Sequence, residues 1–163
     1  MKTVSNYRKT FFTLLATSLI TCSLLVACDK DDDDINDDDN MFTLSGSASG
    51  SKEVPANTTT GSATLTGTYN KSTNSLTYTI AWTGLSGNVT AAHFHGPAST
   101  TEIANPMLDI VIGTNGMSGS TSGTATVTDA FETALFDGKI YYNLHTTLHT
   151  GGEVRSQVTT TPQ

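Results

Sequence analysis

Cysteine is nearly missing from this chain. Two in 163 residues permit one disulfide at most, which excludes a disulfide-dense scaffold. Basic residues are also scarce, with Lys and Arg totalling 8 against 15 Asp and Glu. A nucleic-acid-binding domain needs clustered Lys and Arg to neutralise phosphates, so nucleic acid is not an expected partner. Catalytic signatures are lacking too. There is no nucleophilic serine turn followed by Asp and His. No glycine-rich loop follows a strand and opens a helix. Gly113, Gly116, Gly119 and Gly123 are spread through an Asn, Ser and Thr stretch and read as turn residues. With seven acids scattered over residues 41–163, no carboxylate pair for glycoside hydrolysis can be assigned. The expected protein is not an enzyme.

What is present divides into three segments. Residues 1–27 carry Lys2, Arg8 and Lys9, no acid, and an apolar run over 11–27 that Thr and Ser interrupt. A basic start, an apolar middle and a small residue before a cut site describe a secretory signal. Leu25-Val26-Ala27-Cys28 resembles the bacterial lipobox. That resemblance implies cleavage before Cys28, loss of Cys22 with the signal, and lipid on Cys28. A membrane partner through an acyl anchor follows, without any spanning helix. Residues 28–40 hold eight aspartates and Lys30, a like-charge run that cannot bury a core and reads as a disordered tether. It lacks the glycine and terminal glutamate of an EF-hand loop. Its Lys-Asp-Asp start resembles the surface-export signal of Bacteroidetes lipoproteins. The resemblance implies an outer-membrane lipoprotein exposed at the cell surface, with periplasmic exposure as the alternative.

Residues 41–163 form the folded domain. Period-two alternation between Gly, Asn and Pro clusters marks strands over 42–48, 61–69, 75–83, 89–95, 108–112, 123–128, 139–146 and 153–159. In the clearest, Leu76, Tyr78, Ile80 and Trp82 share one face and Thr77, Thr79 and Thr83 the other. Threonine suits an exposed strand face because its branched Cβ favours extended backbone. One helix is expected over 130–136, capped by Asp129 and ended by Gly138. The pattern gives an all-β, antiparallel sandwich of about eight strands with one short connecting helix.

The domain holds four histidines. His93 and His95 are two apart on a strand and share its face, opposite Phe94. On the strand 139–146, Tyr141, Asn143 and His145 occupy the polar side. On the last strand, Val154 and Val158 look inward, which sends Glu153, Arg155 and Gln157 outward. If these strands are neighbours, the polar groups form one patch. His93, His95 and His145 are then a candidate copper or zinc site, because imidazole suits both ions. The alternative is a hydrogen-bonded polar cluster. His149 reads as an exposed side chain of the loop 147–152. Glu153 and Arg155 form either a surface ion pair or a pair that orients a histidine or a ligand.

The sequence resembles the CHRD domain, the module named after chordin. The resemblance rests on Glu53-Val54-Pro55, Gly61-Ser62-Ala63-Thr64-Leu65, Leu76-Thr77-Tyr78 and Gly84-Leu85. It continues through Val89-Thr90-Ala91-Ala92-His93-Phe94-His95-Gly96-Pro97, Tyr142-Asn143-Leu144-His145-Thr146 and Gly152-Glu153-Val154-Arg155-Ser156-Gln157. Val154, Ser156 and Thr150 depart from the family's last motif, at an isoleucine, a glycine and a proline respectively. The resemblance implies an immunoglobulin-like sandwich and no defined reaction. The expected function is a lipid-anchored binding or interaction module. Its alternatives are a copper- or zinc-binding, redox-capable protein and a purely structural envelope protein.

Overall fold

The computed structural model describes residues 40–113 and 115–163. The signal segment, Cys28 and the tether up to residue 39 lie outside the described residues. The threonine-rich alternation yields an all-β fold. The strands are β1 (Met41–Ser49), β2 (Ser62–Asn70), β3 (Ser75–Thr83), β4 (Val89–His95), β5 (Pro106–Asp109), β6 (Gly119–Thr126), β7 (Tyr141–Thr146), β8 (Val154–Gln157) and β9 (Thr159–Pro162). One α-helix, α1 (Asp129–Phe136), links β6 to β7. Its N-cap is Thr128, not Asp129: the Thr128 hydroxyl accepts the Phe131 amide at 3.3 Å. Asp129 falls in the first turn, where its charge favours the positive end of the helix dipole. Gly138, at φ 68°, supplies the left-handed residue that ends the segment, as expected.

The strands pair antiparallel in the order β5-β4-β7-β8-β1-β2-β3-β6, with β9 also on β1. The sheet curls so that its two halves face each other. The β8–β1 junction is narrow, a single register pair between Ser49 and Arg155. Across the core, Tyr78 of β3 meets Phe94 of β4 with ring centroids 5.3 Å apart. Leu44, Leu65, Leu76, Ile80, Leu144 and Val154 fill the interior around them. Tyr142 of β7 spans the layer, and its hydroxyl donates to the carbonyls of Gly46 and Ala63 at 3.2 and 3.1 Å. A Cβ on Gly46 would come within 2.8 Å of the Tyr142 ring, so glycine is what lets the two halves approach here.

Three elements differ from the sequence reading. β5 lies nearer the chain start than the expected strand over 108–112. β6 begins at Gly119, ahead of the expected start at Gly123, so Gly119 joins Gly123 in the strand and is not a turn. They face Trp82 and Tyr78 in register, and a Cβ would meet those rings at 2.9 and 2.6 Å. Large aromatics on β3 thus occupy the space that side chains on β6 would need. The last expected strand is two: β8 pairs β7, then the chain passes to β9 beside β1.

Candidate functional site

The register of β4 on β7 builds the site. An irregularity between Val89 and Ala91 sets the phase, after which Ala92 faces Leu144 and Phe94 faces Tyr142 on the core side. The intervening pairs, Ala91 with His145, His93 with Asn143 and His95 with Tyr141, therefore lie on the outer side. Asn143 pairs in turn with Arg155 of β8, and Tyr141 with Gln157. The structure thus brings His93, His95, His145, Tyr141, Asn143 and Arg155 onto one face.

The three histidines converge. One nitrogen from each lies within 4.8 Å of the others. His93 Nδ1 and His145 Nε2 are 3.2 Å apart. The outward edges are held. His145 Nδ1–H donates to the Thr150 carbonyl at 2.9 Å, and His95 Nδ1–H to the Ala104 carbonyl at 2.9 Å. His93 Nε2 faces the Asp109 carboxylate at 3.8 Å. Asn143 Oδ1 sits 3.0 Å from His95 Nε2. Burial holds both His93 and His95 below the ordinary imidazole pKa. The neighbouring His145 adds to this, while Asp109 opposes it at His93 and the Ala104 carbonyl opposes it at His95. The lowered pKa favours the neutral form, which can lend a lone pair to a cation. His149 lies outside this group.

The expected outward-facing patch is instead covered. Arg155 is 1% exposed and His95 is 6% exposed. The covering element is the loop 96–105, which the outer-face side chains tie down. Arg155 donates to the carbonyls of Glu102 and Ser99 at 2.8 and 2.9 Å, and Gln157 donates to that of Ala98 at 3.0 Å. The Tyr141 hydroxyl accepts the Ala104 amide at 3.2 Å. Tyr141 itself is sandwiched. Its ring lies parallel to His95 at 4.7 Å, and the Arg155 guanidinium carbon is 3.5 Å from its centroid. Stack and loop together fix the His95 ring.

Glu153 does not join the patch, and it makes no ion pair with Arg155. It precedes β8 and follows Gly152, whose φ of 127° turns the chain. Its fully buried carboxylate accepts from the hydroxyls of Thr59, Ser86 and Thr146 and from the Ser86 amide, at 2.6–2.9 Å. Burial alone would raise its pKa, but these donors outweigh burial and hold it below the usual carboxylate value. Glu153 ties loop ends together and is not a ligand.

Sequence reasoning missed Glu53. It follows a short 3₁₀ turn (Gly50–Lys52), where no alternation reports burial. It lines a cleft of about 370 Å³ with Ser51, Lys52, Thr100, Arg155 and Gln157. Its Oε1 is buried with no hydrogen-bond partner. Burial pushes its pKa up to about 7, against the lowering influence of Arg155, the Val54 amide and Asn143. Its place in the Glu53-Val54-Pro55 motif was the one available signal.

A family model of the CHRD domain matches residues 44–158. No curated protein and no solved structure matches the chain.

Two outcomes follow from this arrangement. Arg155→Met keeps the stem but leaves the loop carbonyls without their donor. It should lower unfolding stability by about 1–3 kcal/mol and speed hydrogen exchange at the Ala98 and Ala104 amides; unchanged exchange would show that the loop does not depend on Arg155. A carboxyl with a raised folded pKa binds its proton more tightly when folded, so its contribution is present in acid and lost as pH rises through about 7. Glu53→Gln cannot ionise. Its melting temperature relative to wild type should therefore rise between about pH 5 and about pH 8, and a pH-independent difference would contradict the assignment.

Proposed function

Because the chain belongs to the CHRD domain family, we propose that it is a lipid-anchored binding module whose ligand includes one transition-metal ion, copper or zinc, held by His93, His95 and His145. Family membership supports a binding or interaction module and names no reaction. One observation carries the metal reading. One nitrogen of each histidine lies within 4.8 Å of the others, that of His95 also meeting Asn143 Oδ1, while the second nitrogen faces a carbonyl or a carboxylate. Metal-bound histidines are held in this way, because the outer partner fixes both tautomer and ring orientation.

The spacing suits an ion. With metal–nitrogen bonds of about 2.0–2.1 Å, two nitrogens on one tetrahedral centre are about 3.3 Å apart. His93 Nδ1 and His145 Nε2, at 3.2 Å, already have that separation. His95 offers its Nε2 without turning, the Asn143 Oδ1 contact at 3.0 Å giving way to the ion. The donors are all imidazoles, which copper and zinc both accept. The module binds its ligand and does not transform it.

Cys28 carries the anchor and the acidic run the spacer, with the domain at the outer membrane facing out of the cell. The order of basic start, apolar run and lipobox supports this placement. Among the described residues, no helix is long and apolar enough to cross a membrane.

Metal analysis of the purified protein, exposed to copper or zinc and then freed of excess ion, should find equimolar metal. The paired substitution His93→Ala and His95→Ala should abolish it while the fold remains. No metal above background in the wild type would refute this reading, and a double variant that loses only stability would favour a purely structural role. For the anchor, Cys28→Ala should release the protein from the membrane fraction and leave the signal uncleaved. Normal processing with continued membrane attachment would refute the lipobox.

A further inference from the structure

A divalent transition-metal ion on three imidazoles has at least one coordination position to fill. Structural zinc sites fill it with a fourth protein ligand, whereas reactive sites leave it to solvent or to an incoming donor. The surroundings of His93, His95 and His145 distinguish these cases.

The inner side of the cluster is closed. His95 is buried, one ring face lies on Tyr141, and its Nδ1 is held under the loop by Ala104. The outer side is open. The His93 side chain retains 22% exposure, and His145 is also only partly buried. The nearby acids point elsewhere. Asp109 faces Nε2 of His93, the edge turned away from His145, and its side chain is 86% exposed. Glu153 is committed to Thr59, Ser86 and Thr146. Glu53 lies beyond Asn143, whose amide stands between it and His95. Among the described residues, the group able to hold one ion consists of these three histidines.

Charge decides what enters. Three neutral imidazoles compensate none of the ion's double positive charge. A partly exposed site of reduced dielectric strengthens attraction for an anion beyond its value in water. A neutral donor such as water holds the position only until a small anion displaces it.

Building on the three-histidine reading, we propose that the bound ion keeps an exchangeable coordination position on the solvent side, between His93 and His145, and that this position takes small anions that donate through nitrogen or oxygen, including the carboxylate end of a larger ligand. Entry of the anion breaks the metal–water bond and forms a metal–anion bond, with no change of oxidation state. Asn143 is the protein group able to compete, since its Oδ1 stands 3.0 Å from His95 Nε2.

The test uses the purified protein loaded with Cu²⁺ and titrated with sodium azide, read by absorption and electron paramagnetic resonance. The expected result is a new azide-to-copper charge-transfer band that saturates at one azide per copper, with an altered copper resonance. Asn143→Ala should give the same band with equal or tighter azide binding. Retained copper whose spectra do not change at saturating azide would overturn this proposal alone, because the coordination would then be closed. Azide binding only in Asn143→Ala would also overturn it, by identifying Asn143 as the closing ligand. Failure of the wild type to retain copper would overturn the three-histidine reading and this proposal together.

Discussion

The pairing of β4 with β7 is the constraint on which the site depends. Side chains alternate across a strand, so the register that packs Phe94 against Tyr142 also places His93, His95 and His145 together on the other face. A slip of one residue would drive imidazoles into the core and aromatics out of it, which is why a sheet with one strongly buried face holds its register firmly. The core therefore specifies the site. Tyr142 reinforces that register from the opposite layer, since its hydroxyl reaches β1 and β2 and fits only where Gly46 leaves space.

A second layer of control comes from the loop 96–105. A bare histidine cluster on an outer sheet face would be wet and mobile. Here Arg155, Gln157 and Tyr141 tie the loop over one side of the cluster, and the loop returns the Ala104 carbonyl to His95. The stacked order of guanidinium, phenol and imidazole holds the ring from its other face. His95 thereby loses its rotational freedom before any ligand arrives, which is what pre-organisation of a binding site requires. The result is a centre closed toward the protein and open toward solvent.

Much of this was legible in the sequence where local alternation decides the outcome. β3 and β4 match their expected bounds, and the facing of His93, His95, Asn143 and His145 follows from counting by two. The rest required tertiary information. Alternation identifies a face but not what covers it, so Arg155 and Gln157 read as exposed although a loop buries the first and half-covers the second. Glu153 kept the same parity as Arg155 and still left the patch, because the turn at Gly152 breaks the alternation. Gly119 looked like a turn residue because the aromatic that replaces its side chain, Trp82, belongs to β3, more than thirty positions away in the chain. The break between β8 and β9 was invisible for a similar reason, since Thr159–Pro162 is a strand only through its partner β1.

Imidazole nitrogens report directly on the claim that three specific histidine atoms share one ion. Nitrogen-15 spectra of the histidine rings, recorded through a zinc titration, resolve each nitrogen separately. The account predicts that His93 Nδ1, His95 Nε2 and His145 Nε2 shift together and saturate at equimolar zinc, while His149 stays unchanged. Shifts at His149, or a trio whose nitrogens respond independently and without saturation, would contradict it.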